Sequence, residues 1–245
     1  MSSLQRTESG PNLIKGRQFR SVIELKTFWK SLGFEFHCVQ MTPGELEGTL
    51  LVERADWLTI VSLKCNQSLF VQGQRNPKVL AFCLENSSRT EMHHVWGDPI
   101  QPQSLNGFCR GLTEAFFQTT PGSHLSLALI PIERVQSLDQ LDASGCLMET
   151  FESSNTAVLP TADFQRIREL LQITPSSSSL PGAHHKCDLL EAQLLETFSH
   201  GKSADLEPAP PPDRHALSRE LVQFAFENST SSLTLNDVCK SIFTS

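Results

Sequence analysis

Residues 57–65 read WLTIVSLKC, a run of mainly apolar and β-branched side chains that carries a single charge. A run of this length and composition is typical of a strand buried in a sheet. Comparable runs recur between residues 34 and 133, and turn signals such as Pro43-Gly44 and Asn76-Pro77 separate them. We therefore expect the central part of the chain to fold as a β-sheet domain.

Seven or eight short segments of this region are candidate strands. Their number and spacing predict one sandwich or barrel of the jelly-roll, cupin-like type. Besides the opening stretch, the candidates are FEFHCVQM (34–41), LEGTLLVE (46–53), SLFVQGQ (68–74), KVLAFCLE (78–85), a piece around HHVWG (93–97), GFCRGL (107–112) and HLSLALIPIE (124–133).

An amphipathic helix is expected before the strands. Ser21, with Glu24 three positions later, matches the capping box of a helix N-terminus. Gly33 marks the end of this helix. The apolar side chains that recur at helical spacing between these signals are Val22, Leu25, Phe28 and Leu32.

The chain is expected to divide into five parts, which together make an α+β protein. Polar residues 1–19 are interpreted as a flexible arm with little to bury, and residues 20–135 as the β-sheet domain. A helical period then dominates residues 136–204. The proline-rich segment at 205–213 is typical of an extended connector, and residues 214–245 begin a new helical unit.

The composition limits the classes of function and location. A net charge of −7 over 245 residues has the wrong sign for a protein that grips nucleic acid over a broad face. No apolar run approaches the roughly 18 residues of a membrane helix, and the N-terminus lacks the apolar core of a signal peptide. Seven cysteines without paired spacing fit a reducing compartment, so we expect a cytoplasmic protein without a membrane partner.

The stretch SSLTLNDVCKSIFTS, residues 231–245, carries unusually complete helix-start signals. Thr234 is the expected N-cap, Asp237 completes a capping box, and Leu233 and Val238 are placed for a hydrophobic staple. Ile242 follows Val238 one turn later, so both side chains point to the same side. This stretch and the apolar stripe of the preceding helix predict two packed helices. A plain helical hairpin that finishes a helical tail is the alternative.

The C-terminal sequence ALSRELVQFAFENSTSSLTLNDVCKSIFTS resembles the opening of the DNA-binding domain of AraC/XylS-family transcription regulators. The Leu-x-x-Asp-Val-Cys form is most similar to the cyanobacterial and ethanolamine-operon-regulator branch. A second stretch, VQMTPGELEGTLLV at 39–52, resembles the Gln-x-x-Pro-Gly-x-[Phe/Leu]-x-Gly-x-Leu segment that opens the sensor domain in that branch.

The resemblance implies a regulator that senses a small-molecule effector or a partner and controls gene expression as a homodimer. It implies that Ser245 is the N-cap of a recognition helix that lies beyond the chain, so the chain would be truncated before that helix. Promoter DNA would then be bound by a longer form, and weakly or not at all by this chain. The partial helix-turn-helix would consist of Thr234, Leu235, Asp237, Val238, Ile242 and Ser245.

The chain carries no Gly-x-Ser-x-Gly, His-Glu-x-x-His, dinucleotide or P-loop motif, so we expect neither an enzyme nor a cofactor. Adjacent strand residues such as His93 and His94 face opposite sides and are poorly placed to share a metal ion. The segment His184-His185-Lys186-Cys187 offers metal ligands, but it opens a helix. The cysteines at 38, 65, 83 and 109 are interpreted as small core residues. A cupin-like enzyme with a helical tail, and a fragment that only dimerises, remain as alternatives.

Aromatic residues of the strand region are candidates for the wall of a ligand pocket. The main candidates are Trp57, Phe70, Phe82 and Trp96, and Phe116 and Phe117 are further ones. Plain core packing is the alternative for each of them.

Two amphipathic helices after the sheet region are predicted to pair subunits. One carries Phe164, Ile167, Leu170 and Leu171, and the other carries Leu190, Leu194, Leu195 and Phe198. Two such stripes offer more apolar surface than one sheet edge needs. In the alternative, both helices fold back on their own domain in a monomer.

This chain is predicted to bind DNA weakly and without sequence preference, because it lacks the recognition helix of the family and has a net charge of −7. Fluorescence anisotropy at near-physiological salt, with the promoter of its own gene and a scrambled duplex, measures this. Submicromolar binding that favours the promoter would contradict the prediction.

Overall fold

The computed structural model describes residues 13–87, 93–141, 147–173, 180–199 and 205–209, together with residues 220 and 224. The predicted helix-turn-helix residues from Thr234 to Ser245 lie outside these ranges. The described chain contains two antiparallel sheets and five helices. The helices are α1 (Val22–Ser31), α2 (Ile132–Leu141), α3 (Leu147–Ser153), α4 (Thr161–Leu170) and α5 (Leu180–Ser199).

The larger sheet has eight strands within the described residues, in the spatial order β1-β3-β4-β11-β6-β9-β12-β13. The smaller sheet has five, in the order β2-β5-β10-β7-β8. In the larger sheet the strands are β1 (Leu13–Phe19), β3 (Gly48–Ala55), β4 (Leu58–Cys65), β6 (Val79–Glu85), β9 (Ser104–Asn106), β11 (His124–Pro131), β12 (Ser154–Val158) and β13 (Asp205–Pro208). In the smaller sheet they are β2 (Glu35–Gln40), β5 (Leu69–Gln74), β7 (His94–Val95), β8 (Asp98–Pro99) and β10 (Glu114–Gln118).

Both faces of the larger sheet are covered, and β6 shows how. Because successive strand residues point to opposite faces, Leu80, Phe82 and Leu84 enter one core, which they share with α2 to α5. Ala81 and Cys83 point the other way, into a second core between the two sheets. The protein therefore has three layers: helices, the larger sheet, and the smaller sheet with α1 at its side.

Two antiparallel sheets are compatible with the predicted β-sandwich, and the N-cap of α1 is confirmed. The hydroxyl of Ser21 accepts a hydrogen bond from the amide of Glu24 at 3.2 Å. The expectation for GFCRGL was wrong. Residues 107–112 form a loop, and the strand is the following segment, β10.

The expected domain boundaries also need correction where the structure describes them. Residues 13–19 are not part of a flexible arm, because they pair along their length with β3. Phe19 lies directly over Gly48, so closely that a Cβ at Gly48 would come within 1.9 Å of the ring. The segment predicted to be helical contains β12, and the connector begins with β13, which pairs with β12. Residues 154–158 and 205–208 therefore extend the larger sheet.

The apolar helix faces that were expected to pair subunits are part of the core. Leu190, Leu194 and Phe198 of α5 are buried together with sheet residues such as Ile60 and Phe82. The predicted dimer surface is therefore wrong, because the helices have a whole sheet face to cover. The side chains of the other predicted stripe behave alike: Phe164, Ile167 and Leu171 are buried in the same core, and Leu170 and Leu195 pack against it.

Polar contacts fix α5 to the sheet. They are made by Lys186 and Cys187, two residues of the segment 184–187 that was considered for metal binding. Lys186 Nζ lies 2.8 Å from Oε2 of the fully buried Glu53. The same ammonium donates to the carbonyl oxygen of Gln172 at 2.9 Å. Cys187 is buried, and its thiol donates to the carbonyl oxygen of Ala55 at 3.1 Å. Lys186 and Cys187 thus serve the docking of the helix.

Truncating Phe198 tests whether α5 belongs to the core. Phe198 is 2% exposed, so Phe198→Ala should lower the free energy of unfolding by about 3–5 kcal/mol. The control is Leu189→Ala on the same helix, where the side chain is 44% exposed. That change should cost less than about 0.5 kcal/mol. Urea denaturation followed by circular dichroism measures both. A stable Phe198→Ala variant that only loses self-association would support the dimer surface instead.

Candidate functional site: a cavity between the sheets

A cavity of about 80 Å³ lies between the inner faces of the two sheets. The strand β6 contributes Ala81, Cys83 and Glu85 to one wall, because these alternate residues point away from the helices. The opposite wall comes from β10 and from the start of β2. Aromatic side chains dominate the lining: Trp29, Phe34, Phe36, Trp96, Phe116 and Phe117.

The structure separates the aromatic residues that the sequence proposed for a pocket. Trp96 lines the cavity and stacks on Phe116, with ring centroids 5.4 Å apart. Phe70 packs against Phe116 at 5.0 Å without being part of the cavity lining. Phe82 points to the opposite face of the sheet, into the helix-side core. Trp57 is also on that side, with the Arg134 guanidinium 5.5 Å from its ring centre.

A buried carboxylate marks one end of the cavity. Glu85 Oε1 accepts hydrogen bonds from the amides of Ser87, at 2.9 Å, and His124, at 2.8 Å. Its Oε2 accepts a hydrogen bond from the hydroxyl of Ser123. Nδ1 of His93 lies 3.3 Å from the same oxygen. Burial acts to raise the pKa of Glu85, but His93 and the three hydrogen bonds outweigh it and lower the pKa to about 2.

A guanidinium also lines the cavity. Arg75 Nη1 donates to the carbonyl oxygens of Cys109, at 2.8 Å, and Leu112, at 3.1 Å. Its Nη2 donates to the carbonyl oxygen of Gly107. Burial lowers the pKa of Arg75 to about 10, which leaves the group protonated at neutral pH. Arg75 therefore clamps the 107–112 loop against β5 and keeps its charge.

Two polar atoms in the cavity lining lack a hydrogen bond. Trp29 is 1% exposed, and its indole Nε1 has no partner. His93 is 3% exposed, and its Nδ1 approaches Glu85 without the geometry of a hydrogen bond. Buried polar groups in native proteins are nearly always hydrogen-bonded, so each unpaired one needs an explanation. A bound molecule that meets them is one.

The cysteines near the cavity are poor nucleophiles. Burial raises the pKa of the Cys83 thiol, and Glu85 adds to the effect, so a nucleophilic thiolate is disfavoured there. Cys38, in the same core, has its pKa raised by burial to about 12. Among the described residues, no group of three His, Cys, Asp or Glu side chains is placed to hold a metal ion.

The described helices include none long and apolar enough to cross a membrane.

Sequence reasoning did not assign the polar ends of the cavity. Glu85 had a readable signal, because it ends an apolar strand and follows Ala81 and Cys83 at alternate positions. Arg75 and Trp29 had none, since their place in the cavity lining depends on how the two sheets and α1 pack. His93 was weighed only as a metal ligand or as an ordinary histidine.

The Pro-Gly-x-Leu-x-Gly stretch has a structural role away from the cavity. Gly44 adopts a φ of +114°, and Gln40 Nε2 donates to the carbonyl oxygens of Thr42 and Gly44, both at 2.7 Å. Leu46 is buried, and Gly48 leaves room for the ring of Phe19. The stretch thus closes the corner between β2 and β3.

No family profile matches the chain, and no curated protein does either. Among solved structures, the crystal structure of the AraC-like transcriptional activator CuxR shares the fold, with a TM-score of 0.54. The match covers 94% of this chain and 84% of that chain, at 11% sequence identity. The chain therefore has the fold of an AraC-like transcriptional activator.

Glu85 should make the stability of the protein sensitive to acid. Its pKa is about 2 in the folded protein, against about 4.3 in an unfolded chain. A depressed folded-state pKa stabilises the protein above the unfolded value, and this stability is lost as pH falls from about 4.3 toward 2. Glu85→Gln should therefore flatten the fall in melting temperature below about pH 5.

The matched control is Glu47→Gln, because the side chain of Glu47 is exposed. That variant should keep the wild-type dependence on pH. Melting temperatures measured by circular dichroism from neutral to acid pH compare the three proteins. If the melting temperature of Glu85→Gln falls with pH as steeply as that of the wild type, the pKa of Glu85 is not lowered in the folded protein.

Proposed function

We propose that this chain is the effector-sensing part of an AraC-type transcription regulator, and that the effector binds in the cavity between the sheets. The observation that carries the proposal is an aromatic-lined cavity with the unpaired indole nitrogen of Trp29 in its wall, in a fold shared with an AraC-like transcriptional activator. The resemblance of residues 214–245 to a partial helix-turn-helix supports the same assignment. DNA contacts then come from that segment and from sequence that would follow it.

The far wall of the cavity offers a route from the effector to the C-terminal segment. Asn106, Gly107 and Asn155 line the cavity. The carbonyl oxygen of Asn155 accepts a hydrogen bond from the amide of Gly107 at 3.0 Å, and its side-chain oxygen accepts one from the amide of Cys109 at 3.3 Å.

Asn155 is part of β12, whose outer neighbour is β13. Strand β13 is the first part of the connector that leads to residues 214–245. An effector that shifts Asn155 would therefore act on β13, the strand nearest to the proposed DNA-binding segment among the described residues. The proposed regulation is a change in how firmly this edge of the sheet holds the connector.

A cupin-like enzyme is less well supported by the same cavity. A carboxylate with a pKa of about 2 is a weak general base at neutral pH. Both oxygens of Glu85 already accept hydrogen bonds from the protein. The thiol of Cys83 is protonated there, because its pKa is raised.

Filling the cavity should abolish sensing without unfolding the protein. Ala81→Leu adds three carbon atoms to a wall of the cavity, so a small molecule that stabilises the wild type should no longer stabilise this variant. The control is Leu189→Ala, on the solvent side of α5, which should respond like the wild type. A thermal-shift screen of metabolites identifies a molecule that stabilises the wild type. Hydrogen exchange then measures the protection of the amides of residues 205–209 with and without that molecule.

The same two variants should also be tested in cells, each in the longest open reading frame that contains this chain. A reporter driven by DNA upstream of the gene should respond to the molecule with wild type and Leu189→Ala, and not with Ala81→Leu. If the reporter still responds to the molecule with Ala81→Leu, the molecule is sensed outside the cavity.

A further inference from the structure

The helix-covered face of the larger sheet ends in a row of polar side chains. Phe82, Leu84 and Asn86 follow one another on that face, because alternate residues of a strand point to the same side. The first two are in the helix-side core, and Asn86 comes directly after β6. Asn86 donates its backbone amide to the carbonyl oxygen of His124 at 2.8 Å and its Nδ2 to the hydroxyl of Ser126 at 2.9 Å. The polar row therefore continues onto β11.

A positive charge on β4 extends this row. Lys64 is the cross-strand partner of His124, so the two side chains lie on the same face of the sheet. Burial lowers the pKa of His124, and the charge of Lys64 acts in the same direction. Glu85 acts against them, and Arg168 of α4 adds a second positive charge that lowers the pKa. Two cationic groups from different elements are therefore close to this end of the sheet.

Arg168 is a half-buried guanidinium without a counter-charge. Its Nε is buried and has no hydrogen-bond partner. Asp163, on the same helix, lies 3.9 Å from Nη1 of Arg166, and no acidic side chain of the described residues forms an ion pair with Arg168. Buried donors in native proteins are nearly always paired, so this one needs an explanation.

The nearest carboxylate does not supply the missing acceptor. Glu85 directly precedes Asn86, so its side chain points to the opposite face of the sheet, where it lines the cavity. Its oxygens accept hydrogen bonds from the hydroxyl of Ser123 and from the amides of Ser87 and His124. The fold therefore satisfies this negative charge without Arg168.

A surface groove of about 500 Å³ gives Arg168 access to a ligand. The groove lies between α4 and the segment that leads into β9. Its lining includes Asn86 and two exposed amide side chains, Gln101 and Gln165, and the ring of Phe164 supplies an apolar part. A volume of this size is typical of sites for small molecules.

We infer that this groove binds a small oxyanion, either a carboxylate or a phosphate group, with Arg168 as its main contact. A guanidinium presents a planar fork of donors that matches two oxygens of either group. The amides of Gln101 and Gln165 offer further donors, and the charge of Lys64 favours an anion at this end of the sheet.

This site goes beyond the proposed sensing function, because it is separate from the cavity between the sheets. Glu85 and Ile100 belong to both linings, so the groove and the cavity are neighbours. Ala81 lines the cavity and is not part of the groove. A change at Ala81 therefore distinguishes the two sites.

Inorganic phosphate and citrate are the two probes, and they separate a phosphate from a carboxylate ligand. Each is added to the purified chain while circular dichroism measures the melting temperature, with sodium chloride at the same ionic strength as the reference. At least one probe should raise the melting temperature by about 3 °C at ten times its dissociation constant. Calorimetry measures that dissociation constant for the wild type and for each variant.

Arg168→Gln removes the guanidinium and should weaken binding of that anion by about tenfold. Arg168→Lys keeps the charge without the fork, so its affinity should lie between those of the wild type and Arg168→Gln. The matched control is Arg166→Gln, which loses the same charge on the same helix at a side chain that is 60% exposed. Arg166→Gln and the cavity-filling Ala81→Leu should both bind the anion like the wild type.

Three results overturn the inference. The first is that neither phosphate nor citrate stabilises the wild type more than chloride does. The second is that Arg166→Gln weakens binding as much as Arg168→Gln does, which would indicate a general effect of charge on α4. The third is that Ala81→Leu abolishes binding, which would place the anion in the cavity.

Arg168→Lys decides the matter if Arg168→Gln does not fold, because wild-type affinity in Arg168→Lys also overturns the inference. The sensing function is tested by the response of Ala81→Leu to its own effector. Failure of the anion site therefore leaves the sensing function standing, and the reverse also holds.

Discussion

The larger sheet must bury both of its faces, and the rest of the structure depends on this constraint. Strand β11 pairs with β4 on one side and β6 on the other, so the middle of the sheet has no solvent edge. Helices α2 to α5 cover one face with a continuous apolar core. The smaller sheet and α1 cover the other. Covering the sheet therefore uses the apolar stripe of α5 formed by Leu190, Leu194 and Phe198.

The cavity follows from an imperfect fit on the second face. The smaller sheet is built from short strands, and the two-residue strands β7 and β8 end it beside β10. Polar groups occupy this region besides the apolar side chains: Glu85, His93 and Arg75. Satisfying the two charged groups, Glu85 and Arg75, with backbone amides and carbonyls is how the fold tolerates charge between two sheets. Trp29 Nε1 is left without a hydrogen bond.

Much of the fold could be predicted from the sequence where local signals determine a helix or strand. The capping box at Ser21 placed α1, and apolar runs placed β3, β4, β5, β6 and β11. Prediction failed for strands made by pairing alone. The segments 13–19 and 205–208 look polar or proline-rich, yet each becomes an edge strand because a neighbour offers a row of free backbone groups. The site was less predictable: of the four main aromatic candidates, Trp96 lines the cavity, whereas Trp57 and Phe82 lie on the helix side of the larger sheet.

The sequence by itself determined the local features: helix caps, apolar periods, and turns such as the one at Gly44, whose backbone conformation few other residues adopt. It also showed the resemblance on which the proposed DNA-binding segment depends. The tertiary structure alone decided which face each strand residue serves. Alternate residues of β6 face opposite sides of the sheet, so Phe82 packs against the helices and Glu85 faces the cavity. Which set of residues faces the helices depends on the layers that pack on each side. It also brought Arg75 and Trp29, which are 46 positions apart in the sequence, into the lining of one cavity.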